Sequence, residues 1–381
     1  MIKKVFYISL FLFILTLIFL AAYNFVFRHN PNDPIADPKK KQAKQEEKEE
    51  KTAVPATEIT SLLNENILGA TSGIDEKIYY YSLDEKSLKK ASFEGKDKTV
   101  LLSNLPGDAT RVLWSPKKDK ALLLLKLPDG ASNWYFSDIA PKTLVALKPT
   151  IGRLAWNNLG DKIIYQYTDP GTGKRTFNIA NPDGSAWKEI APIGSQDSYV
   201  APIPQSTNFS FWNRPNALEE SLFESVDGSN GNKNTLVSGR FGADYLWSPT
   251  GDQVLIASSD KKAGNTLVLS VANKQGGEIR SLSIPTLLTK VTWAKDGKSI
   301  YYALPGGLPD NATLPNDYFE KPLITNDTFW KMDIETGRKS RLLDLKEVGQ
   351  SFDSSDLFLS PQEDFLFFTD RSTKRLYRIE L

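Results

Sequence analysis

The chain has no cysteine and only one histidine, His29, in 381 residues. Without cysteine there are no disulfides, thiolate nucleophiles, thioether-linked haems or zinc–thiolate sites, although the redox compartment stays open. With its one histidine near the start, the rest of the chain cannot assemble a Ser-His-Asp triad, a His-ligated metal or a histidine general base. An excess of one charge is missing too. Residues 1–56 carry nine Lys/Arg against six Asp/Glu, leaving 38 basic and 40 acidic residues after them, so no nucleic-acid partner is expected. The stretch Asp169-Pro-Gly-Thr-Gly-Lys174 is glycine-rich without being a phosphate loop, because Arg175 stands where Ser or Thr is needed and no helix follows. Calcium loops of the D-x-[DN]-x-[DN]-G kind and the Asp boxes of sialidases are absent as well. No cofactor or metal is expected.

What the chain does have is an internal repeat. Its clearest copy is YLWSPTGDQVLIASSD, Tyr245 to Asp260: an apolar strand end closing on Trp247, a turn, then a second apolar strand. Superimposing Trp114, Trp156, Pro202, Trp247, Trp293 and Leu359 brings a turn and an apolar run into register each time. A weaker seventh copy, ATSGIDEKIYYYS, has Thr71 as its anchor. The steps are 43, 42, 46, 45, 46 and 66 residues, and all but the last suit four strands per blade. The expected fold is all-β: a seven-bladed β-propeller preceded by one N-terminal transmembrane helix.

The residue types follow from that architecture. A four-stranded blade cannot bury both faces alone, and a tryptophan near the hub fills the wedge against its neighbour. The recurring Trp residues are therefore assigned to blade packing rather than to ligand stacking. Pro116, Pro204, Pro249 and Pro361, two residues after the anchor, preset a turn φ; Gly160, Gly251 and Gly297, four after it, supply the positive φ that a hairpin often needs. The W-S-P-x-G-D pattern followed by an alternating apolar strand resembles the PD40, or WD40-like, repeat of TolB-like propellers, and is similar to the propeller part of dipeptidyl peptidase IV-like proteins. The resemblance covers about residues 57–381. It implies a propeller and carries no catalytic residues.

Val5 to Phe27 form a 23-residue apolar stretch, long enough to cross a bilayer and longer than the apolar region of a cleavable signal peptide. Lys3 and Lys4 precede it, which favours an N-terminus inside and a propeller outside the cell membrane. The expected order is a short cytoplasmic tail (1–4), an uncleaved transmembrane helix (5–27), a charged flexible linker (28–56) and the propeller (57–381). The linker, rich in Lys and Glu, reads as a tether spanning roughly 30 Å.

Residues 58–63 precede the first anchor, and the last repeat stops after its third strand, 375–380. Adding the first segment as the outer strand of the last blade would close the ring. The sixth blade carries an insertion, residues 304–327, which explains the 66-residue step. Its polar and aromatic residues, Asp310, Asp317, Tyr318, Phe319, Glu320 and Lys321, are the candidate binding residues, weighed against a surface loop pinned by Tyr318 and Phe319. The function expected is a membrane-anchored, non-enzymatic scaffold whose loop face binds a protein or envelope polymer. The alternatives are a carbohydrate-active enzyme using two Asp/Glu about 5–10 Å apart, or a small-ligand sensor or subunit of a membrane complex.

Overall fold

A computed structural model describes residues 59–194, 197–343 and 350–381. The expected tail and membrane helix, and the linker with residues 57 and 58, lie outside these. Among the described residues no helix is long and apolar enough to cross a membrane. Alternating apolar strands joined by tight turns build antiparallel meanders, and their sum is a β-propeller. Four-stranded sheets span residues 67–102, 108–146, 151–192 and 291–341. A seven-stranded sheet spans residues 198–281, and a last four-stranded sheet joins residues 354–380 to Ile59–Ser61.

The first strand of each meander lies at the hub, where Ile67–Ser72 touches both Asp108–Trp114 and Ser354–Leu359. Both faces of the sheets are buried, each against a neighbour. Tyr81 and Leu88 of the 67–102 sheet pack on Val112 and Trp114 of the next. The pattern continues sheet by sheet to Tyr301 and Phe329, which pack on Leu366 and Phe368. Phe367 and Leu376 of the last sheet then meet Ile67, Ile78 and Tyr80 of the first. The ring is thereby closed.

The closing strand lies where the sequence places it. Ile59, Thr60 and Ser61 pair with Ile379, Arg378 and Tyr377, so the final strand is not left as an open edge. Leu62 and Leu63 follow into the core between the last and first sheets.

The anchors end the innermost strands. The Trp114 indole N–H donates to the Gly69 carbonyl (2.9 Å), Trp156 to that of Leu113 (2.9 Å) and Trp293 to that of Leu246 (3.2 Å). Each ring therefore fills the wedge and ties its sheet to the preceding one, which is why the residue recurs. Trp247 donates instead to the Ser210 hydroxyl (2.9 Å). The turn after it is tight: Gly251 has φ 73°, and a Cβ there would lie 2.5 Å from the Pro204 carbonyl oxygen.

Two details differ from the sequence reading. Lys233–Trp247 is one 15-residue strand serving two repeats, so their strands join in a single sheet. The insertion is also shorter than 304–327, because Ser299–Gly306 and Asn326–Asp333 pair as far as Gly306 and Asn326. The ladder continues through these residues and leaves only 307–325 as the excursion.

Candidate functional site

A second recurrence sits inside the repeat, three residues before the anchor. The residues there are Arg111, Arg153, Tyr199, Asp244, Lys290 and Asp356. In five innermost strands the pairing breaks at a bulge near this slot, between Leu68 and Thr71, Ala109 and Arg111, Ile151 and Leu154, Phe241 and Asp244, and Ser355 and Phe358. A bulge bends its strand and re-aims a side chain. Asp356, inside one bulge, has φ 52°, a left-handed conformation that Asp tolerates better than most residues.

The slots converge. Arg111 lies within electrostatic reach of Arg153, Tyr199, Asp356 and Asp197, and also of Asp244. These groups come from four sheets, which only the axis of the ring allows. Burial lowers the Arg111 pKa, the Arg153 charge pushes the same way, and Tyr199, Asp356 and Asp197 oppose them. Arg111 makes no direct hydrogen bond or ion pair among the described residues.

Its neighbours are held firmly. Arg153 Nε donates to Asp197 Oδ1 (3.0 Å), and its guanidinium lies over the Tyr199 ring at 4.5 Å. Tyr199 stacks on Trp212 at 5.8 Å, and Trp212 Nε1 donates to Asp244 Oδ1 at 2.8 Å. The Tyr245 amide donates to the same oxygen at 3.1 Å. Burial pushes the Asp244 carboxyl up to about 6, against the pull of these two donors and Arg111. Asp356 is likewise raised by burial, with Ser355, Lys374 and Arg111 opposing.

The insertion roofs one side of this centre. Its short helix, Asn316–Glu320, is fixed to the hairpin after Phe209–Asn213: Asn316 Oδ1 accepts from the Ala217 amide (2.7 Å), and its Nδ2 donates to Asn216 Oδ1 (2.9 Å). Between them lies a cavity of about 500 Å³ lined by Asp197, Asn213, Arg214, Asn216, Asn316 and Glu320, among others. Asp197 belongs both to this wall and to the Arg153 pair, so cavity and axis are contiguous.

The insertion's foot is locked by the remaining slot. Lys290, with no exposed surface, donates to Asp327 Oδ2 (2.6 Å), Asp353 Oδ1 (2.9 Å), Thr325 Oγ1 (3.1 Å) and the Ser354 carbonyl (2.7 Å). The Tyr318 hydroxyl donates to Asp353 Oδ1 (2.7 Å), and Arg371 Nε to Asp353 Oδ2 (2.8 Å). Burial raises the Asp353 carboxyl, but Lys290, joined by the hydroxyls of Tyr318 and Thr325, outweighs it and holds the group below its usual range.

The candidate binding residues of the insertion separate accordingly. Tyr318 is 1% exposed and belongs to the lock, whereas Phe319, at 45%, borders a small gap beside Asp244 and Pro315. Asp317 accepts from the Thr313 amide (3.0 Å) and pairs with Lys321 (2.8 Å), holding the helix together. Asp310 is exposed, and its carbonyl accepts from Asn265 Nδ2 (2.5 Å). Of the six, only Glu320 lines the polar cavity, where it faces Arg214 at 3.5 Å. The axial charges were missed, although a polar residue three before six of the seven anchors (Leu68 precedes Thr71) was a readable signal. Among the described residues no group of three or more His, Cys, Asp or Glu is arranged to hold a metal.

No family model matches the chain, and no curated protein does. Solved structures do. An oligogalacturonate lyase in complex with manganese aligns with a TM-score of 0.58 and 14% identity, over 85% of this chain and 90% of its own. The oligogalacturonate lyase of Vibrio parahaemolyticus gives 0.59 and 11%, over 86% and 97%. A streptogramin B lyase gives 0.54 and 11%, over 85% and 98%. At such identities the likeness shows the β-propeller fold that the PD40 resemblance implies. The expectation of a non-enzymatic scaffold is corrected by the same finding, because these similar chains, matched over nearly their full lengths, are named as enzymes.

Proposed function

We propose that this chain is a carbohydrate-active enzyme on a seven-bladed propeller, two of whose blades share the strand Lys233–Trp247. The observation that carries this reading is Asp244, a half-buried carboxyl that desolvation raises to about 6, held by Trp212 Nε1 and within electrostatic reach of Arg111 at the axis. A carboxyl kept partly protonated near neutral pH suits a general acid. In this reading Asp244 donates its proton to the glycosidic oxygen as the bond breaks. Asp356 is the second carboxylate and accepts the proton given up, from water in a hydrolysis or from the sugar ring in an elimination. The amides of Asn213, Asn216 and Asn316 and the Glu320 carboxylate offer the mixed donors and acceptors that sugar hydroxyls require.

The fold's likeness to proteins named oligogalacturonate lyase and streptogramin B lyase supports bond-cleaving chemistry. The apolar stretch of residues 5–27 would hold the enzyme at the cell membrane, with the propeller on the extracytoplasmic side. The test is to incubate the full chain with a panel of neutral and acidic oligosaccharides and analyse the products for new reducing ends and for unsaturated sugars. At least one is expected to be cleaved, with loss of turnover in Asp244→Asn. A panel left intact, or an Asp244→Asn variant as fast as the parent, overturns the reading.

A further inference from the structure

The cations at the axis narrow the substrate class, on the reading that the site takes a saccharide. We propose that Arg111 and Arg153 together form the seat for a carboxylate carried by the sugar, so that the substrate is an acidic oligosaccharide of the uronic-acid type. The two arginines occupy the same slot of adjacent repeats, both at bulges of neighbouring innermost strands. Like charges are thus brought together at the axis; Asp197 already pairs with Arg153, and an anion between the two guanidiniums would relieve the repulsion that remains.

Each guanidinium has donors to spare. Arg153 is oriented through Nε, by Asp197, and through its flat face, by Tyr199, while neither of its terminal nitrogens has an acceptor among the described residues. Arg111 has no acceptor for any of its five N–H groups among the described residues. It is only partly buried, so these N–H groups are open to a ligand entering from the axis. A carboxylate matches the planar fork of each arginine and forms charge-assisted hydrogen bonds with it.

The surroundings select among anions. Asp197, Asp244 and Asp356 all lie within electrostatic reach of Arg111, so a single negative charge is tolerated there better than the dianion of a phosphate. The adjoining cavity offers amides and carboxylates suited to hydroxyl groups. A sugar ring with one carboxylate satisfies both halves of the site.

The experiment measures binding to the full chain by calorimetry, using short oligomers of galacturonate, glucuronate and mannuronate, each beside its methyl ester, with inorganic phosphate as a further arm. At least one acid form is expected to bind about tenfold or more tighter than its ester, since the ester removes the charge and leaves the ring intact. Arg111→Gln should abolish most of that difference, and Arg111→Lys should retain only part of it. The Gln variant should fold at least as well as the parent, because it removes an unpartnered charge. Equal affinity for acid and ester, phosphate binding tighter than every uronide, or a preference that survives Arg111→Gln overturns this assignment and leaves the enzyme reading standing. Binding of no uronide in either form likewise overturns this assignment, and cleavage of the neutral oligosaccharides in the panel then decides the enzyme reading separately.

Discussion

Replacing Asp244 by Asn should stabilise the fold while abolishing activity. The carboxyl's pKa rises from an ordinary 3.8 to about 6 because burial penalises its charge. At 1.36 kcal/mol per unit, holding that charge at neutral pH costs the native state on the order of 2–3 kcal/mol. Asn keeps an oxygen that can accept from Trp212 Nε1 and the Tyr245 amide, and it carries no charge. The pH dependence gives the sign. Between 3.8 and about 6 the folded chain holds a proton that the unfolded chain has released, so parental stability falls as pH rises through this window and levels off above it. The variant lacks that contribution, so the two proteins should be about equally stable below the window and differ by up to the full amount above it. Urea unfolding at several pH values measures the difference directly. Curves that stay parallel throughout, or a variant less stable than the parent near pH 8, would refute the argument that Asp244 is kept for chemistry at a cost in stability.

Three further perturbations test other parts of the structure. Lys290→Met removes the cation shared by Asp327 and Asp353, leaving buried Asp327 without a cation and Asp353 with Arg371 alone; a loss of about 3–5 kcal/mol is expected in urea unfolding, and no loss would show that the lock does not hold the insertion. Lys118 occupies the turn position that is Gly160, Gly251 and Gly297 in other repeats, with φ 61° and a pKa that burial pushes down to about 8. Lys118→Gly should therefore stabilise the fold by about 1 kcal/mol or more near pH 7, with the gain shrinking as pH rises above 8, because the parent's lysine then sheds its penalised charge; a destabilised variant would contradict this. Removing the chain through Leu63 strips the closing strand and two buried leucines, each contributing about 1.5–3 kcal/mol, so the shortened protein should unfold at clearly lower urea or associate through the bared edge; an unchanged midpoint in a monomer would count against closure by this strand.

The parts of this architecture that were legible in the sequence are those where one physical demand recurs. Every wedge between sheets needs a large apolar group, and Trp114, Trp156, Trp247 and Trp293 announce it. The closing strand was legible for a related reason, since a last repeat one strand short needs a partner and residues 58–63 were unassigned. The site was less so, because chemistry at an axis needs different groups from neighbouring repeats. The slot three before the anchor holds Arg, Arg, Tyr, Asp, Lys and Asp, and an alignment on apolar anchors passes over it. The cavity was hidden more deeply. Asn216 and Asn316 stand a hundred residues apart and meet only because the insertion folds back over the preceding sheet.

Lys290 shows where spacing stops being informative. It occupies the same slot as Arg111 and Arg153, three residues before a tryptophan, and is a cation as they are. Its surroundings differ, however, because Thr325 and Asp327, at the end of the insertion and the strand that follows, supply a hydroxyl and a carboxylate, and the next strand adds Asp353 and the Ser354 carbonyl. Four acceptors draw the ammonium group inward and make it a clamp. Arg111 has none among the described residues, and is left facing the axis. The repeat fixes where a charge stands, and the acceptors that the rest of the chain supplies decide whether it holds the fold together or remains available for a ligand.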